Sequence, residues 1–299
     1  MKFDLSALRP VELSDRDRFE TYLQKMCSQS CECTFPNIFM YQEPYGVEFV
    51  ELEGRLVVYE RENRAIHYPI GEWTDHKLLK KISNAFIDAG LTEGGIYDVP
   101  EDFLDRHPDC DRYFNIEYDA GMIDYLFSVE KIATFNGPKL RKMYNLVKQF
   151  QANWPYAEVR KITAAEIPVA EKLALELNSR MTPCVFLDEE ALALDRAWRN
   201  FDALGLGGII IYAEPGYPAG LSVFSFMPSD TVDIHFEKAD HAIKGMSQTL
   251  TWQLALALRG KAKFMNREQD MNEENLRHAK RSLDPERFFK RYFLRTIRN

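Results

Sequence analysis

The order of apolar patterns along the chain occurs twice, and that repetition limits the fold more than any other feature of its 299 residues. Helical spacing of Phe19, Tyr22, Leu23 and Met26 predicts a first helix over 15–28, with Ser14 as its capping candidate. A short helical turn over 36–41 follows. VEFVELE, RLVVYERE and RAIHYPIG, punctuated by turn residues, read as three antiparallel strands. Asp75 then caps a helix with Leu78, Leu79, Ile82, Phe86 and Ile87 on one side and Gly90 past its end. Strand GGIYDV, a short helix and a strand pair over 113–118 and 125–128 complete the half. After a linker helix over 137–153 the series runs again. It consists of strand YAEVRKI, helices over 163–181 and 188–204, strands GGIIIYAE, GLSVFSFMP and TVDIHFEKA, a helix over 244–259, strand KAKFMN, a helix over 272–282, and a terminal strand FFKRYFLRTI.

Three meandering strands followed by a helix and another strand give an α+β layer with helices packed on a mixed, largely antiparallel sheet. The order resembles that of the GNAT (acyl-CoA N-acyltransferase) fold. The expected architecture is two tandem GNAT-like domains, 1–134 and 135–299, with the duplication resting on element order alone.

Charge separates along the same line. Residues 1–130 carry 13 Lys and Arg against 26 Asp and Glu, whereas residues 131–299 carry 25 against 20, within a total of −8. From Arg259 onward twelve basic residues face six acidic ones. A basic second half suits an anionic ligand.

Several classes are excluded. The longest apolar run, 204–213, is about half the roughly twenty residues a membrane helix requires. The N-terminus turns charged at once, so no signal peptide and a cytoplasmic location are expected. Five cysteines, Cys27, Cys31, Cys33, Cys110 and Cys184, are too few and scattered for a disulfide framework. Cys31 and Cys33 lack the second pair that zinc needs, so no metal site is expected. Neither a GxSxG elbow nor a phosphate-binding P-loop occurs, and the glycines at 205, 207 and 208 precede a strand instead of following one.

The chemistry-bearing segments lie in the second half. In Thr231-Val-Asp-Ile-His-Phe-Glu-Lys238, strand alternation puts Asp233, His235 and Glu237 on one face and Val232, Ile234 and Phe236 on the other. The loop beyond leads into a helix whose first N–H groups can meet a phosphate, with Lys244 adding charge and Gly245 permitting close approach near Met246 and Ser247. The alternative is a solvated strand face and an ordinary turn. Asn266-Arg-Glu-Gln-Asp270 closes a strand, and Arg277, Lys280 and Arg281 form one basic helical face behind it. That group can bind a carboxylate or phosphate, or form an internal salt-bridge network. The middle helix puts Leu140, Tyr144, Val147 and Gln151 on one face and Arg141, Asn145 and Lys148 on another, with no acid in it. It is a candidate surface for an anionic polymer or lipid headgroup, or a solvated linker.

CTFPNIFMYQEPYG, NGPKLRKMYNLVKQF, HFEKADHAIKGMSQ and FMNREQDMNEENLRHAKRSLDPERFFKRY together resemble, over nearly the whole chain, the phosphatidylglycerol lysyltransferase C-terminal-domain-like family. The resemblance implies tandem GNAT-like domains, as in Fem-type transferases, with aminoacyl-tRNA as donor and, in the best-known members, a lipid headgroup as acceptor. It highlights Glu237 and Lys238, Gly245, Asn266, Arg267, Glu268 and Asp270, Arg277 and Lys280, and also Lys139 and Asn145.

The expected function is transfer of an activated aminoacyl or acyl group to an amine or hydroxyl, with the donor on the second domain. Glu237 is the candidate base, with Arg267 and Glu268 beside it; Lys238, Lys244, Gly245, Met246, Ser247, Asn266, Asp270, Arg277 and Lys280 are candidate donor contacts. Lys139, Arg141, Asn145 and Lys148 form the candidate anionic-ligand surface. The alternatives are a GNAT acetyltransferase with acyl-CoA as donor, its CoA moiety held by the loop at 244–247, or a non-catalytic binding module of the same fold.

Overall fold

The computed structural model describes residues 3–26, 28–181 and 185–298. Cys27 and Cys184 lie outside the described residues. The chain divides after Ile123 and again after Phe288, with 124–288 forming one compact unit and the remainder the other. In chain order the strands are β1 (Arg9–Pro10), β2 (Val47–Leu52), β3 (Arg55–Glu60), β4 (Ala65–His67), β5 (Ile70–Gly71), β6 (Gly95–Pro100) and β7 (Phe114–Glu117). There follow β8 (Asp124–Ser128), β9 (Glu158–Lys161), β10 (Gly207–Glu214), β11 (Tyr217–Phe226), β12 (Thr231–Ala239), β13 (Phe264–Asn266), β14 (Arg287–Phe289) and β15 (Arg291–Thr296).

In the first unit the sheet runs β1-β2-β3-β4-β6-β15-β7, with β5 beside β3. Strands β2 to β4 are antiparallel neighbours, while β4 and β6 are parallel. Parallel neighbours need a crossover, supplied by the helix His76–Asp88. Asp75 caps it by accepting from the Leu78 amide at 2.8 Å, as expected, and it buries Leu79, Ile82 and Phe86 against Val50, Val57, Tyr59, Ile66 and Val99. The helix Arg16–Met26 begins differently: a 3-10 turn over Leu13–Asp15 precedes it, and the Ser14 hydroxyl turns to Glu12.

The second unit repeats the scheme with order β9-β10-β11-β12-β13-β8-β14. Strands β10 to β12 are antiparallel neighbours, β12 and β13 are parallel, and the helix Met246–Leu258 makes the crossover. Helices Ile167–Ser179 and Val185–Arg199 precede the meander. Consecutive isoleucines 209 to 211 are all buried, as befits a strand covered on both faces. The edge strand β9 is exposed throughout and carries Glu158, Arg160 and Lys161, which discourages further strand addition.

Laid over one another, the two strand orders coincide place by place, which gives the expected α+β repeat a structural basis. The sixth place reveals an exchange. In the first unit it is filled by β15 from the end of the chain, and in the second by β8 from the end of the first half. The division at 134/135 therefore differs from the compact units, because each half's last strand pairs in the other's sheet. The single terminal strand expected over 288–297 is likewise broken at Lys290, leaving β14 in one sheet and β15 in the other.

The exchange redistributes charge. The first unit holds 17 Lys and Arg against 24 Asp and Glu, and the second 21 against 22. Their formal charges are −7 and −1, so the expected positive second domain does not exist as a folded unit. Lys290, Arg291, Arg295 and Arg298 belong to the first.

Candidate active site

Strand β12 runs through the middle of the second sheet and carries the titratable face read from the sequence. Its opposite face, Val232, Ile234 and Phe236, is buried, and so are Asp233 and His235; Glu237 alone of the three polar residues reaches partial exposure. A strand with both faces covered leaves its carboxylates to find partners inside the protein.

Glu237 finds Arg267, which follows β13. Arg267 Nε donates to Glu237 Oε2 at 2.7 Å, and the Thr251 hydroxyl donates to Oε1 at 3.0 Å. The Arg267 guanidinium also lies 5.6 Å from the centre of the Phe127 ring. Thr251 belongs to the helix Met246–Leu258 and also donates to the Ser247 carbonyl at 3.1 Å, so one hydroxyl ties Glu237 to that helix's first turn. No side chain among the described residues caps the helix, and Lys244 before it is exposed.

Gly245 has φ +85°, a conformation costly for other residues. A Cβ there would lie 2.4 Å from the Leu146 carbonyl oxygen. The close approach that Gly245 permits is thus to the helix Leu140–Asn153. That helix buries Leu140, Met143, Val147 and Phe150, one step away from the expected Tyr144 and Gln151, which are exposed. Arg141, Asn145 and Lys148 face solvent as expected, and Lys139 pairs with Asp284 at 3.2 Å.

The segment after β13 is fastened from several directions. Asn266 Nδ2 donates to Asp124 Oδ2 at 2.8 Å, its Oδ1 accepts from the Glu268 amide at 2.7 Å, and Gln269 donates to the other Asp124 oxygen at 2.9 Å. Lys280 is buried, and its ammonium donates to the carbonyls of Arg267, Glu268 and Gln269. Asp270 is wholly buried and accepts from Tyr125 at 2.6 Å, Arg277 at 2.7 and 2.8 Å, and the Asn272 amide at 2.9 Å. Burial opposes its ionisation, but Arg277, Tyr125 and Asn272 prevail and hold the carboxyl below its usual range. Lys280 and Arg277 are therefore drawn into the segment, and the basic face expected across 277, 280 and 281 is reduced to exposed Arg281.

This fastening holds Glu268 at φ +54°, in the left-handed region. Its side chain is turned toward His235, with Oε1 3.7 Å from Nδ1, while Asp233 Oδ2 stands 3.5 Å from the same nitrogen. The Ser225 hydroxyl holds His235 Nε2 at 2.9 Å. Burial drives the imidazole pKa down, with Asp233 pulling the other way.

Of the candidate residues, Glu237, Arg267, Glu268, Asn266, Asp270, Arg277 and Lys280 meet around the ends of β12 and β13. Lys238 does not join them: it is buried on the other side of the strand, 2.6 Å from Glu190. Asp124, Tyr125 and Ser225 join the site without a signal in the sequence. The first two arrive on β8, and nothing local marks a strand as destined for the other sheet. A surface hollow of about 370 Å³ in this unit, beside Arg259, Lys263 and Glu286, includes none of the candidates.

Comparison with known proteins adds the lineage. The sequence model of the family described as phosphatidylglycerol lysyltransferase, C-terminal, matches residues 24–295. The chain belongs to that family. A search of curated proteins returns no match. Among solved structures, a protein of unknown function from Bacteroides thetaiotaomicron is similar at 24% identity and TM-score 0.88, covering 97% of this chain and 99% of that one. The C-terminal domain of a protein described as a lysylphosphatidylglycerol synthetase, from Agrobacterium fabrum, is similar at 12% identity and TM-score 0.65, over 95% and 92% of the two chains. FemX is similar at 8% identity and TM-score 0.63, over 97% of each. The lysyltransferase-family chain thus shares its fold with a Fem protein. No helix among its described residues is long and apolar enough to cross a membrane.

Proposed function

We propose that this member of the lysyltransferase family is a cytoplasmic transferase that moves an aminoacyl group from tRNA to an amine or hydroxyl acceptor, with its chemistry in the second unit. The observation that carries the reading is the Glu237–Arg267 pair, tied through Thr251 to the start of an uncapped helix. An aminoacyl ester is already activated, so the protein must chiefly position it and stabilise the oxyanion that forms when the acceptor attacks. Glu237 takes the proton from the attacking group and returns it to the tRNA ribose oxygen as the ester bond to that oxygen breaks. Its hold on Arg267 weakens as its charge is lost, and the guanidinium then serves the oxyanion. Exposed Arg141, Asn145 and Lys148 offer the tRNA a contact surface.

The uncapped helix start beside exposed Lys244 favours a second reading, in which an acyl-CoA is the donor and its pyrophosphate meets the first turn of that helix. Titration of the full chain with aminoacylated tRNA, uncharged tRNA and CoA separates the two, together with transfer of a radiolabelled aminoacyl group to candidate acceptors. Transfer that is abolished in Glu237→Gln and Arg267→Met supports the proposal. Submillimolar CoA binding with no tRNA binding overturns it in favour of the acyl-CoA reading.

A further inference from the structure

The imidazole of His235 has a side-chain exposure of 0%, and its Nδ1 has no hydrogen-bond partner among the described residues. An imidazole nitrogen so deeply buried is ordinarily satisfied. The two carboxylate oxygens it faces, at 3.5 and 3.7 Å, are too far for hydrogen bonds. They are well spaced for something else. Two ligands at ~2.0–2.1 Å from a tetrahedral ion stand roughly 3.3 Å apart. One donor atom from each of Asp233, His235 and Glu268 lies within 4.8 Å of the other two.

We infer that Asp233, His235 and Glu268 form a binding site for a divalent transition-metal ion. The surroundings have the features such a site requires. Ser225 at 2.9 Å fixes the imidazole ring, and as the acceptor of the Nε2 proton it leaves the Nδ1 lone pair for the ion. Two carboxylates and a neutral imidazole balance a charge of two. The neighbouring cations are engaged elsewhere, Arg267 with Glu237 and Lys280 with backbone carbonyls. Mixed nitrogen and oxygen donors suit Zn²⁺, Mn²⁺, Fe²⁺ or Co²⁺ more than Mg²⁺ or Ca²⁺. The strained backbone of Glu268 acquires a purpose, because the left-handed conformation at φ +54° directs a loop carboxylate toward a strand histidine. Three protein ligands leave a further position, and Glu268, with 22% of its side chain exposed, marks the side from which water or a carbonyl oxygen would enter. The site does not depend on the identity of any donor or acceptor.

The test is titration of the chelator-treated full chain with Co²⁺, read by its visible ligand-field absorption, and with Zn²⁺, read by calorimetry. One equivalent should bind and raise the melting temperature. Glu268→Gln and Asp233→Asn should each weaken binding at least tenfold, and Ser225→Ala should weaken it less. Circular dichroism establishes that each variant is folded; should Asp233→Asn fail to fold, Glu268→Gln decides, since its side chain reaches solvent. Absence of stoichiometric binding by the unmodified chain, or undiminished binding by folded Glu268→Gln, overturns the assignment.

Discussion

Replacement of Lys280 by methionine tests how the segment after β13 is held. The substitution keeps the length of a buried side chain and removes its ammonium, which donates to the carbonyls of Arg267, Glu268 and Gln269. Hydrogen bonds to a charged group contribute about 1.5–3 kcal/mol each. The three share one donor, and burying that ammonium carries a desolvation cost of several kcal/mol that methionine avoids. The balance is a loss of about 2–4 kcal/mol. For a unit of this size it corresponds to a fall in melting temperature on the order of 10 °C. The loss has a local signature as well, because the Glu268 carbonyl accepts from the Lys280 ammonium at 3.1 Å and from the Tyr125 amide at 3.3 Å. With that anchor gone, the left-handed backbone at Glu268, which costs roughly 1–3 kcal/mol to maintain, relaxes. Urea unfolding followed by circular dichroism gives the stability, and amide hydrogen exchange over 266–273 gives the local effect. A stability change below about 0.5 kcal/mol, with unchanged exchange in that segment, refutes the view that Lys280 anchors it.

Four further outcomes are expected. Gly245→Ala places a methyl group 2.4 Å from the Leu146 carbonyl at φ +85°, and should destabilise the chain by about 2 kcal/mol or more in the same unfolding assay. His67, buried against Glu60 at 2.8 Å, has its pKa pulled down by burial but raised further by that carboxylate, to about 9. Its contribution is therefore complete below the unfolded value of about 6.5 and lost as pH rises through about 9, roughly 2–3 kcal/mol that denaturation at pH 6 and pH 9.5 will reveal and His67→Gln will abolish. Asp270, held below its usual range, supplies stability above about pH 4 that disappears as pH falls through its lower folded pKa, and Asp270→Asn should remove that acid dependence while destabilising the unit at neutral pH by about 3 kcal/mol. Arg141→Glu with Lys148→Glu should leave the melting temperature within a few degrees, since both side chains are exposed, and weaken tRNA binding with a shallower salt dependence in filter-binding measurements.

The candidate residues were legible to different depths. Alternation along 231–238 correctly separated Asp233, His235 and Glu237 from the apolar face, because strand periodicity is a property of the backbone itself. It did not tell that both faces would be covered, which depends on how helices from elsewhere in the chain pack on the sheet. The motifs at 266–270 and 277–280 read as a group able to bind a ligand or to form an internal network; the second of those possibilities describes Asp270, Arg277 and Lys280, whose charges are met within the protein. Gly245 is legible as a place of close approach, and what it approaches is the Leu146 carbonyl of another helix. The middle helix misled by one position, since Met143 and Phe150 complete a buried stripe as well as Tyr144 and Gln151 would on pattern alone.

By itself the sequence determined the kinds of element, their order and their recurrence, since these follow from local spacing of apolar residues, caps and turns. Through its motifs it also carried the family. Tertiary structure alone decided where the last strand of each half pairs. That choice joins β8 to β13 and β15 to β6 and β7 by hydrogen bonds between residues more than a hundred positions apart, for which no local pattern exists. It brings Asp124 and Tyr125 to the segment after β13, and it reduces a contrast of −13 and +5 along the chain to −7 and −1 between folded units. It is also only in the folded sheet that positions 233, 235 and 268 converge on one buried imidazole nitrogen.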